Sequence, residues 1–355
     1  MNRRRFTAVA ASVSVPAILT SKRAMAQDVI GDGEFRFKCE HAWPQLPDKY
    51  NWQITHNVAV DPNNRLYVIH EGDVNQPDHP AIFVFDEEGR FIKAFGEQFQ
   101  GGGHGLEIRV EEGTPYLYVT GYQQLKTICK LSLDGEIVWQ RFAPMESKLY
   151  AAGEDTNPKK IWGRDRFMPT NFAFLPDGDL LVADGYGAFA IHQYDRDGNW
   201  KGVFGGAGAG KGTFNLPHGI WVDDRDKANP RIVVADRSHD TLQIFGMDQN
   251  YQKTVTGFGK PANIETHGDL MLVPELVARI SLLDRNDKVV ATIGEDRERI
   301  LADQKENKGF KIRTDRSRWE SGKFVHPHDA CFDRDGNIHV AEWVSTGRVT
   351  KLSLA

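Results

Sequence analysis

The chain has 355 residues, a formal net charge of −5 at pH 7 and 34 glycines. Because a mildly acidic chain lacks the basic footprint that nucleic acid requires, we expect no nucleic-acid partner. We expect a monomer that acts on a small molecule or a peptide. Length alone allows two domains, but a repeated pattern of strands and turns predicts only one.

The first 26 residues have the pattern of an export signal. A twin-arginine stretch, Asn2-Arg3-Arg4-Arg5-Phe6-Thr7, precedes an apolar run from Ala8 to Thr20 and the small-residue segment Ala24-Met25-Ala26. The apolar run is too short for a stable membrane anchor. We therefore predict a signal peptide over residues 1–26 and a periplasmic or secreted mature protein that is not attached to a membrane.

The repeat is clearest between Phe172 and Phe204. The turn at Pro176-Asp177-Gly178 leads into the apolar run Leu180-Leu181-Val182-Ala183, and Asp197-Gly198 forms a second turn before the last strand. Four short strands joined by tight turns are typical of a β-propeller blade.

Six copies of this pattern follow one another and predict an all-β, six-bladed propeller over residues 27–355. The sixth copy contains only three strands before the chain ends. We expect Phe35–Cys39 to pair with it as the missing fourth strand, which closes the ring and covers an open sheet edge. The six copies begin at His56, His104, Thr170, His218, Ala262 and His328.

The sequence also predicts two short helices and the state of its three cysteines. Short helices are expected at Ile300–Lys305 and Lys148–Gly153, both in connections between blades. Cys39, Cys129 and Cys331 lie on different predicted strands. Because a disulfide requires Cα atoms within about 7 Å, we expect three unpaired, mostly buried thiols.

Three histidines occupy the same repeat position in blades two, four and six: His104, His218 and His328. Each begins the innermost strand of its blade, so we expect the three side chains to converge at the ring axis. Neutral imidazole is a ligand for zinc and similar metals, and three protein ligands leave one coordination position open. The sequence therefore predicts a catalytic metal site rather than a structural one.

Two further histidines are predicted near this site. His56 holds the equivalent position in blade one, where it either hydrogen-bonds the substrate or a ligand or binds the metal itself. His326, two residues before His328, either faces the channel or is a solvated loop residue. We assign both to the substrate pocket.

Four motifs resemble the peptidyl-α-hydroxyglycine α-amidating lyase family, over about residues 58–340. These lyases are six-bladed propellers of NHL-type repeats that cleave a carbinolamide into a peptide amide and glyoxylate. The motifs are Ala183-Asp184-Gly185-Tyr186, Phe214-Asn215-Leu216-Pro217-His218, Val233-Val234-Ala235-Asp236-Arg237 and His326-Pro327-His328-Asp329.

The resemblance implies a role for each matched position. It implies that zinc binds to the three axial histidines, that Tyr186 is catalytic and that Arg237 supports the site. It also implies a structural calcium ion bound by the carboxylate of Asp329 and by the backbone carbonyls of Val58 and Leu106.

The sequence differs from the family at positions that would contact the substrate. Where the family has a catalytic arginine, this sequence reads His70-Glu71-Gly72-Asp73, and the family's methionine beside the third zinc ligand is replaced by His326. We therefore expect a zinc-dependent lyase or hydrolase with changed specificity. The base is either Tyr186, with Arg237 as the neighbouring cation, or Glu71.

Other interpretations remain open at this stage. The chain could be a non-catalytic NHL propeller that binds a peptide, a glycan or a protein. A calcium lactonase of the gluconolactonase type would place carboxylates and asparagines on the axis, and the histidines argue against it. Tyr186 could simply pack at the rim, and Arg237 could pair with Asp184 or Asp236.

Overall fold

The computed structural model describes residues 28–306 and 311–355, which form six antiparallel sheets. The predicted six-bladed β-propeller is confirmed. The first three blades have four strands each, listed from the innermost strand outwards. Blade one contains β3 (Thr55–Val60), β4 (Leu66–His70), β5 (Ile82–Phe85) and β6 (Phe91–Phe95); blade two contains β7 (Gly103–Glu111), β8 (Thr114–Gly121), β9 (Thr127–Ser132) and β10 (Ile137–Arg141); blade three contains β11 (Asn171–Phe174), β12 (Leu180–Ala183), β13 (Ala190–Tyr194) and β14 (Trp200–Gly205).

Blades four and five have the same arrangement, and blade six has a fifth strand. Blade four contains β15 (Pro217–Asp223), β16 (Arg231–Asp236), β17 (Thr241–Gly246) and β18 (Tyr251–Val255); blade five contains β19 (Glu265–His267), β20 (Leu270–Glu275), β21 (Arg279–Leu283) and β22 (Val289–Ile293); blade six contains β23 (Pro327–Phe332), β24 (Ile338–Glu342), β25 (Arg348–Leu354), β2 (Phe37–His41) and β1 (Asp28–Ile30).

The six innermost strands surround the axis. Each contacts the innermost strand of the next blade, from β3 through β7, β11, β15 and β19 to β23, and β23 contacts β3 again. Residues at one repeat position therefore meet at one level of the axis. The candidate site lies where these residues meet.

The N-terminal segment closes the ring as predicted. β2 pairs antiparallel with β25, from Phe37 opposite Leu354 to His41 opposite Thr350. The strand begins two residues later than expected. β1 adds a fifth strand by pairing with β2, so Cys39 is not on the outermost strand.

Apolar side chains fill the spaces between neighbouring blades. One such cluster joins Leu272 and Ile280 of blade five to Val340 of blade six and to Phe37 of the closing strand. All three cysteines are buried and unpaired, which confirms the prediction. Burial raises the pKa of the Cys39 and Cys129 thiols to about 12.

The connections between blades contain the helices. α1 (Arg297–Glu306) and α2 (Lys311–Thr314) lie between blades five and six, and α1 confirms the helix expected at residues 300–305. The helix expected at Lys148–Gly153 is wrong, because Lys148 and Gly153 both have left-handed backbone angles, with φ of 61° and 79°. The connections between blades also contain the 3-10 helices Glu97–Phe99, Met145–Ser147 and Arg316–Arg318, whereas the 3-10 helix Arg237–His239 lies within blade four, between β16 and β17.

The signal predicted at residues 1–26 lies outside the described residues. Within the described ranges, the helices are all too short or too polar to cross a bilayer.

Candidate metal centre and substrate cavity

A β-bulge presents each axial histidine. The strand register shifts at Thr55/Asn57, Gly103/Leu106, Pro217/Gly219 and Pro327/Asp329, which are the positions of the four histidines. A bulge leaves one residue out of the ladder and turns its side chain to a new direction. All four imidazoles are buried, and they are those of His56, His104, His218 and His328.

Backbone carbonyls fix the orientation of the three predicted metal ligands. His104 Nδ1 donates to the Thr170 carbonyl at 3.0 Å, and His218 Nδ1 donates to that of Ala262 at 2.6 Å. His328 Nδ1 donates to the carbonyl of His56 at 2.7 Å. Each acceptor stands at the equivalent repeat position of the following blade, so the pattern has threefold symmetry.

This pattern leaves Nε2 of each ligand without a proton. Burial lowers the pKa of all three imidazoles well below its usual value, which keeps them neutral. A metal-binding histidine typically donates its other ring N–H to a carbonyl or carboxylate in this way. The tautomer of His104, His218 and His328 is therefore the one that a metal requires.

The Nε2 atoms of His104 and His218 lie only 3.1 Å apart. Since both Nδ1 atoms carry the proton, two lone pairs face each other across this distance. Two nitrogen ligands of a tetrahedral zinc, with Zn–N about 2.05 Å, lie roughly 3.3 Å apart. The separation fits two ligands of one ion.

His56 stands equally close to the axis. Nitrogen atoms of His56, His104 and His328 all lie within 4.8 Å of one another, which could hold a metal ion. His218 is not in this group, although its Nε2 lies 3.1 Å from that of His104. His56 differs from the other three, because among the described residues its ring does not donate to a backbone carbonyl; its Nε2 instead lies 3.4 Å from a carboxylate oxygen of Glu71.

Tyr186 lies directly on this cluster. Its hydroxyl oxygen is 3.1 Å from Nε2 of His104 and 3.0 Å from Nε2 of His218. Arg237 Nη2 donates to the same oxygen at 3.2 Å, and its guanidinium lies 5.2 Å from the ring centre. Burial raises the pKa of Tyr186, although Arg237 acts to lower it.

The carboxylate of Glu71 lies beside His56. Its Oε2 is 3.4 Å from His56 Nε2, and its Oε1 accepts a hydrogen bond from Gln123 at 3.0 Å. Burial acts to raise the pKa of Glu71, but hydrogen bonds from His56, Tyr122 and Gln123 lower it overall. Glu71 is thus an anion at the edge of the cluster.

A cavity of about 360 Å³ is lined by His56, His328 and Tyr186 of this cluster. In five of the six blades, the residue that directly follows the second strand lines this cavity. Blade three differs, because its lining residue, Tyr186, lies three residues after the end of the second strand β12. Sequence reasoning missed most of this wall, although the shared repeat position would have identified it. The five residues are Glu71, Tyr122, Arg237, Leu276 and Trp343.

Two connections between blades complete the wall. Trp162 comes from the connection between blades two and three, and its ring centre lies 5.1 Å from that of Tyr186. Arg313 comes from α2, between blades five and six. Their distance from the axial histidines in the chain explains why the sequence did not indicate them.

His326 does not line this cavity. Its Nδ1 donates to the Leu276 carbonyl at 2.6 Å, and its ring lies 5.8 Å from that of Trp343. It is buried and is therefore not a solvated loop residue. These contacts place the His326 ring against Trp343, on the side of that residue that does not line the cavity.

Carboxylates at the ends of the second strands hold the loops that carry the site. Glu342 accepts the N–H of Val325, three residues before His328, and Asp236 accepts that of Asn215, three residues before His218. Asp236 also binds Gln243 and His239, so Arg237 is directed to Tyr186 rather than to its neighbour.

A second layer of polar groups lies behind the histidines. Asn171 donates to Asn263, Asn263 donates to Asp329, and Asp329 also accepts the Val58 N–H at 2.8 Å. Asp329 directly follows His328 in the chain. Asn171 and Asn263 directly follow Thr170 and Ala262, which hold the equivalent repeat positions in blades three and five. Asn57 holds the same position in blade one, and its buried Oδ1 has no partner among the described residues.

Two more carboxyl groups surround a small cavity at this level. The cavity has a volume of about 80 Å³ and is lined in part by Glu107, Glu265 and Asp329. Burial and the neighbouring carboxylates raise the pKa of Glu107 and Glu265 well above normal, and burial raises that of Asp329 to about 7. The layer is rich in oxygen donors but too small for a substrate.

Comparison with known proteins identifies the fold. No known family model matches the sequence, and no curated relative is found. A gluconolactonase from Xanthomonas campestris is similar with a TM-score of 0.58 and 10% identity, over 93% of this chain and 92% of that one. A virginiamycin B lyase from Staphylococcus aureus, solved with quinupristin, gives 0.54 and 12%, over 90% of this chain and 100% of that one.

A protein of unknown function from Bacteroides thetaiotaomicron is also similar, with a TM-score of 0.55 and 13% identity over 91% of this chain and 78% of that one. At these identities the likeness shows a shared six-bladed propeller fold. The chemistry of this chain must be argued from its own site.

Proposed function

We propose that this protein is a metal-dependent enzyme that binds a zinc-like divalent ion through His104, His218 and His328. The observation that carries the proposal is the 3.1 Å approach of two unprotonated Nε2 atoms, with each Nδ1 bound to a carbonyl of the next blade. Such an ion would act as a Lewis acid toward a substrate oxygen.

The choice of these three histidines over His56 rests on their hydrogen bonds. A carbonyl orients each of the three, whereas His56 has the Glu71 carboxylate at 3.4 Å and no carbonyl partner. We therefore assign His56 to the cavity, where it and Glu71 contact the substrate.

The proposed reaction is the cleavage of a C–N bond or a related lyase or hydrolase reaction. Tyr186 is the residue that would move a proton to or from the substrate, because its hydroxyl lies at the histidine cluster, lines the cavity and accepts a hydrogen bond from Arg237. Arg237 orients the hydroxyl and favours its ionised form. The resemblance to the amidating lyases includes these residues, and Glu71 marks the change in specificity.

We also propose a structural calcium ion at the second layer. Glu107, Glu265 and Asp329 line one small cavity, and the buried Oδ1 of Asn57 in the same layer has no partner among the described residues; these oxygen atoms suit calcium, which prefers oxygen ligands. The cavity of about 80 Å³ fits a structural ion rather than a lactonase site.

Metal analysis of the purified protein tests the main proposal. We expect about one zinc-like ion per chain, and we expect His104→Ala, His218→Ala and His328→Ala each to lose most of it. His56→Ala is the matched control and should keep the ion. Equal loss in all four variants, or full occupancy in the first three, would contradict the assignment.

An activity assay tests the reaction class. The metal-loaded protein should release glyoxylate from an α-hydroxyglycine peptide slowly, and Tyr186→Phe should abolish this release while the ion stays bound. A protein without metal, or one with metal but unaffected by Tyr186→Phe, would favour the alternative of a non-catalytic propeller that binds a peptide, glycan or protein.

A further inference from the structure

Tyr186 lies on a short turn between β12 and β13, and the connection between blades two and three holds this turn. The Tyr186 N–H donates to the Met168 carbonyl at 3.3 Å, and Arg164 Nη2 donates to the Tyr186 carbonyl at 3.1 Å. The next residue, Gly187, has no room for a side chain, because a Cβ there would lie 2.1 Å from Asp184 Oδ1. The position of the Tyr186 hydroxyl at the histidine cluster therefore depends on how firmly this turn is held.

The buried carboxylate of Asp184 ties the turn to that connection. Its Oδ1 accepts the Met168 N–H at 2.7 Å, and its Oδ2 accepts the Ala188 N–H at 2.6 Å. Oδ2 also accepts the hydroxyl of Tyr150 at 2.7 Å. Burial raises the pKa of Asp184 to about 6, although these hydrogen bonds act to lower it. A buried carboxylate depends on its donors, so the loss of one of them weakens this anchor.

A chain of hydrogen bonds directs the proton of Tyr150 to Asp184. The indole N–H of Trp200, which can only donate, lies 3.2 Å from His192 Nδ1, and burial lowers the pKa of His192 to about 3. His192 is therefore neutral, carries its proton on Nε2 and donates to the Tyr150 oxygen at 2.6 Å. Burial and the Asp184 carboxylate raise the pKa of Tyr150 well above its usual value, so its hydroxyl keeps the proton and donates it to Asp184.

We propose that Tyr150 is a positioning residue for Tyr186, because its hydroxyl holds the carboxylate of Asp184, and Asp184 holds the turn. This role rests on the function proposed above, in which Tyr186 moves a proton at the metal centre. Tyr150 is buried and does not line the cavity, so it acts through Asp184 rather than by contact with the substrate. A displacement of about 1 Å at a reacting group costs on the order of a hundredfold in rate.

Tyr150→Phe removes the hydroxyl and keeps the ring in the core. We expect this variant to lower kcat for glyoxylate release from an α-hydroxyglycine peptide by at least about tenfold. KM should stay nearly unchanged, because the residues that line the cavity remain and only the group that moves the proton is displaced.

Tyr194→Phe is the matched control for the loss of a hydroxyl. Tyr194 is 1% exposed, and its ring centre lies 6.3 Å from that of His192. Among the described residues its hydroxyl has no hydrogen-bond partner. The control should therefore keep the kcat and KM of the wild-type protein, and an unchanged kcat in Tyr150→Phe as well would overturn the proposal.

The NMR signal of the Tyr186 ring gives a readout that does not depend on the reaction. The protein is labelled with ¹³C at Cζ of its 9 tyrosines, and the Tyr186 signal is the one that Tyr186→Phe loses. We expect this signal to shift or broaden in Tyr150→Phe and to keep its position in Tyr194→Phe. A Tyr186 signal that is identical in Tyr150→Phe and in the wild-type protein would contradict the positioning role.

His192→Phe separates positioning from a general loss of stability. It removes the imidazole from which Tyr150 accepts, but the Tyr150 hydroxyl can still donate to Asp184. Thermal melting should show that Tyr150→Phe and His192→Phe are both folded and both less stable than the wild-type protein, since each leaves a polar group of the chain without its partner. We expect the Tyr186 signal to move in Tyr150→Phe alone. An equal change in both variants would assign the effect to a loosened core and overturn the proposal.

The two readouts also distinguish this role from the proposed function. A wild-type protein that binds metal but releases no glyoxylate would contradict the proposed reaction. The Tyr186 signal of Tyr150→Phe, compared with that of Tyr194→Phe, would still decide whether Tyr150 holds Tyr186 in place.

Discussion

Glu71 is the residue on which the proposed change in specificity rests. It places an anion beside His56, 3.4 Å from the imidazole, where the family has an arginine. An anion at this position repels a peptide substrate that ends in a carboxylate. Under the proposed function, we therefore expect Glu71 to act on specificity rather than on metal binding.

Glu71→Arg should raise the activity toward an α-hydroxyglycine peptide. We expect kcat/KM to rise about tenfold, because one repulsive charge is replaced by an attractive one at the cavity wall. Glu71→Gln, which only removes the charge, should give a smaller gain. Loss of activity in both variants, with metal still bound, would instead make Glu71 the base.

Asp329 should link the strands around the second layer through calcium. We expect calcium to raise the melting temperature of the wild-type protein and a chelator to lower it, since an ion that binds only the folded state stabilises it. Asp329→Ala should lose this response. Asp335→Ala, an exposed position on the same blade, is the control. Melting curves of wild type that are identical with and without calcium would refute the site.

At the scale of elements, the closing strand β2 completes blade six. Phe37 is 2% exposed and packs with residues of blades five and six, whereas Val29 of β1 is 44% exposed. Phe37→Ala should lower the free energy of unfolding by about 3–5 kcal/mol, as large-to-small core changes do. Val29→Ala should change it little. Denaturant unfolding measures both, and similar small effects would mean that β2 does not close the ring.

The strands were predictable because their pattern is local. Turn residues such as Pro176-Asp177-Gly178 and the apolar runs between them identify each blade without tertiary information. The segment at residues 148–153 failed for the opposite reason. Tyr150 is anchored by hydrogen bonds to Asp184 and His192, and this tertiary contact overrides the local preference.

At the scale of the whole molecule, the ring converts repeat positions into neighbours. His104, His218 and His328 are more than a hundred residues apart in sequence, and their ring centres lie 4.7–5.0 Å apart. The repeat register predicted this convergence. It could not predict Trp162 and Arg313, because connections between blades do not follow the register, and their positions depend on packing against the finished ring.

The hydrogen bonds between neighbouring blades follow a second regular pattern, which the sequence alone did not reveal. Blades two, four and six supply the histidines, and blades three, five and one supply the carbonyls that orient them. The site is therefore a threefold arrangement within a sixfold ring. The role of His56 follows from this symmetry, since its carbonyl orients His328 while its side chain faces the cavity.

The central claim is that one metal ion lies between His104, His218 and His328. A crystal structure of the metal-loaded protein, with anomalous diffraction recorded on either side of the zinc absorption edge, tests it most directly. We predict one anomalous peak at about 2.0–2.1 Å from the three Nε2 atoms, with His56 outside its coordination sphere. A peak bound by His56 in place of His218, or no peak at the axis of a protein that contains zinc, would contradict the account.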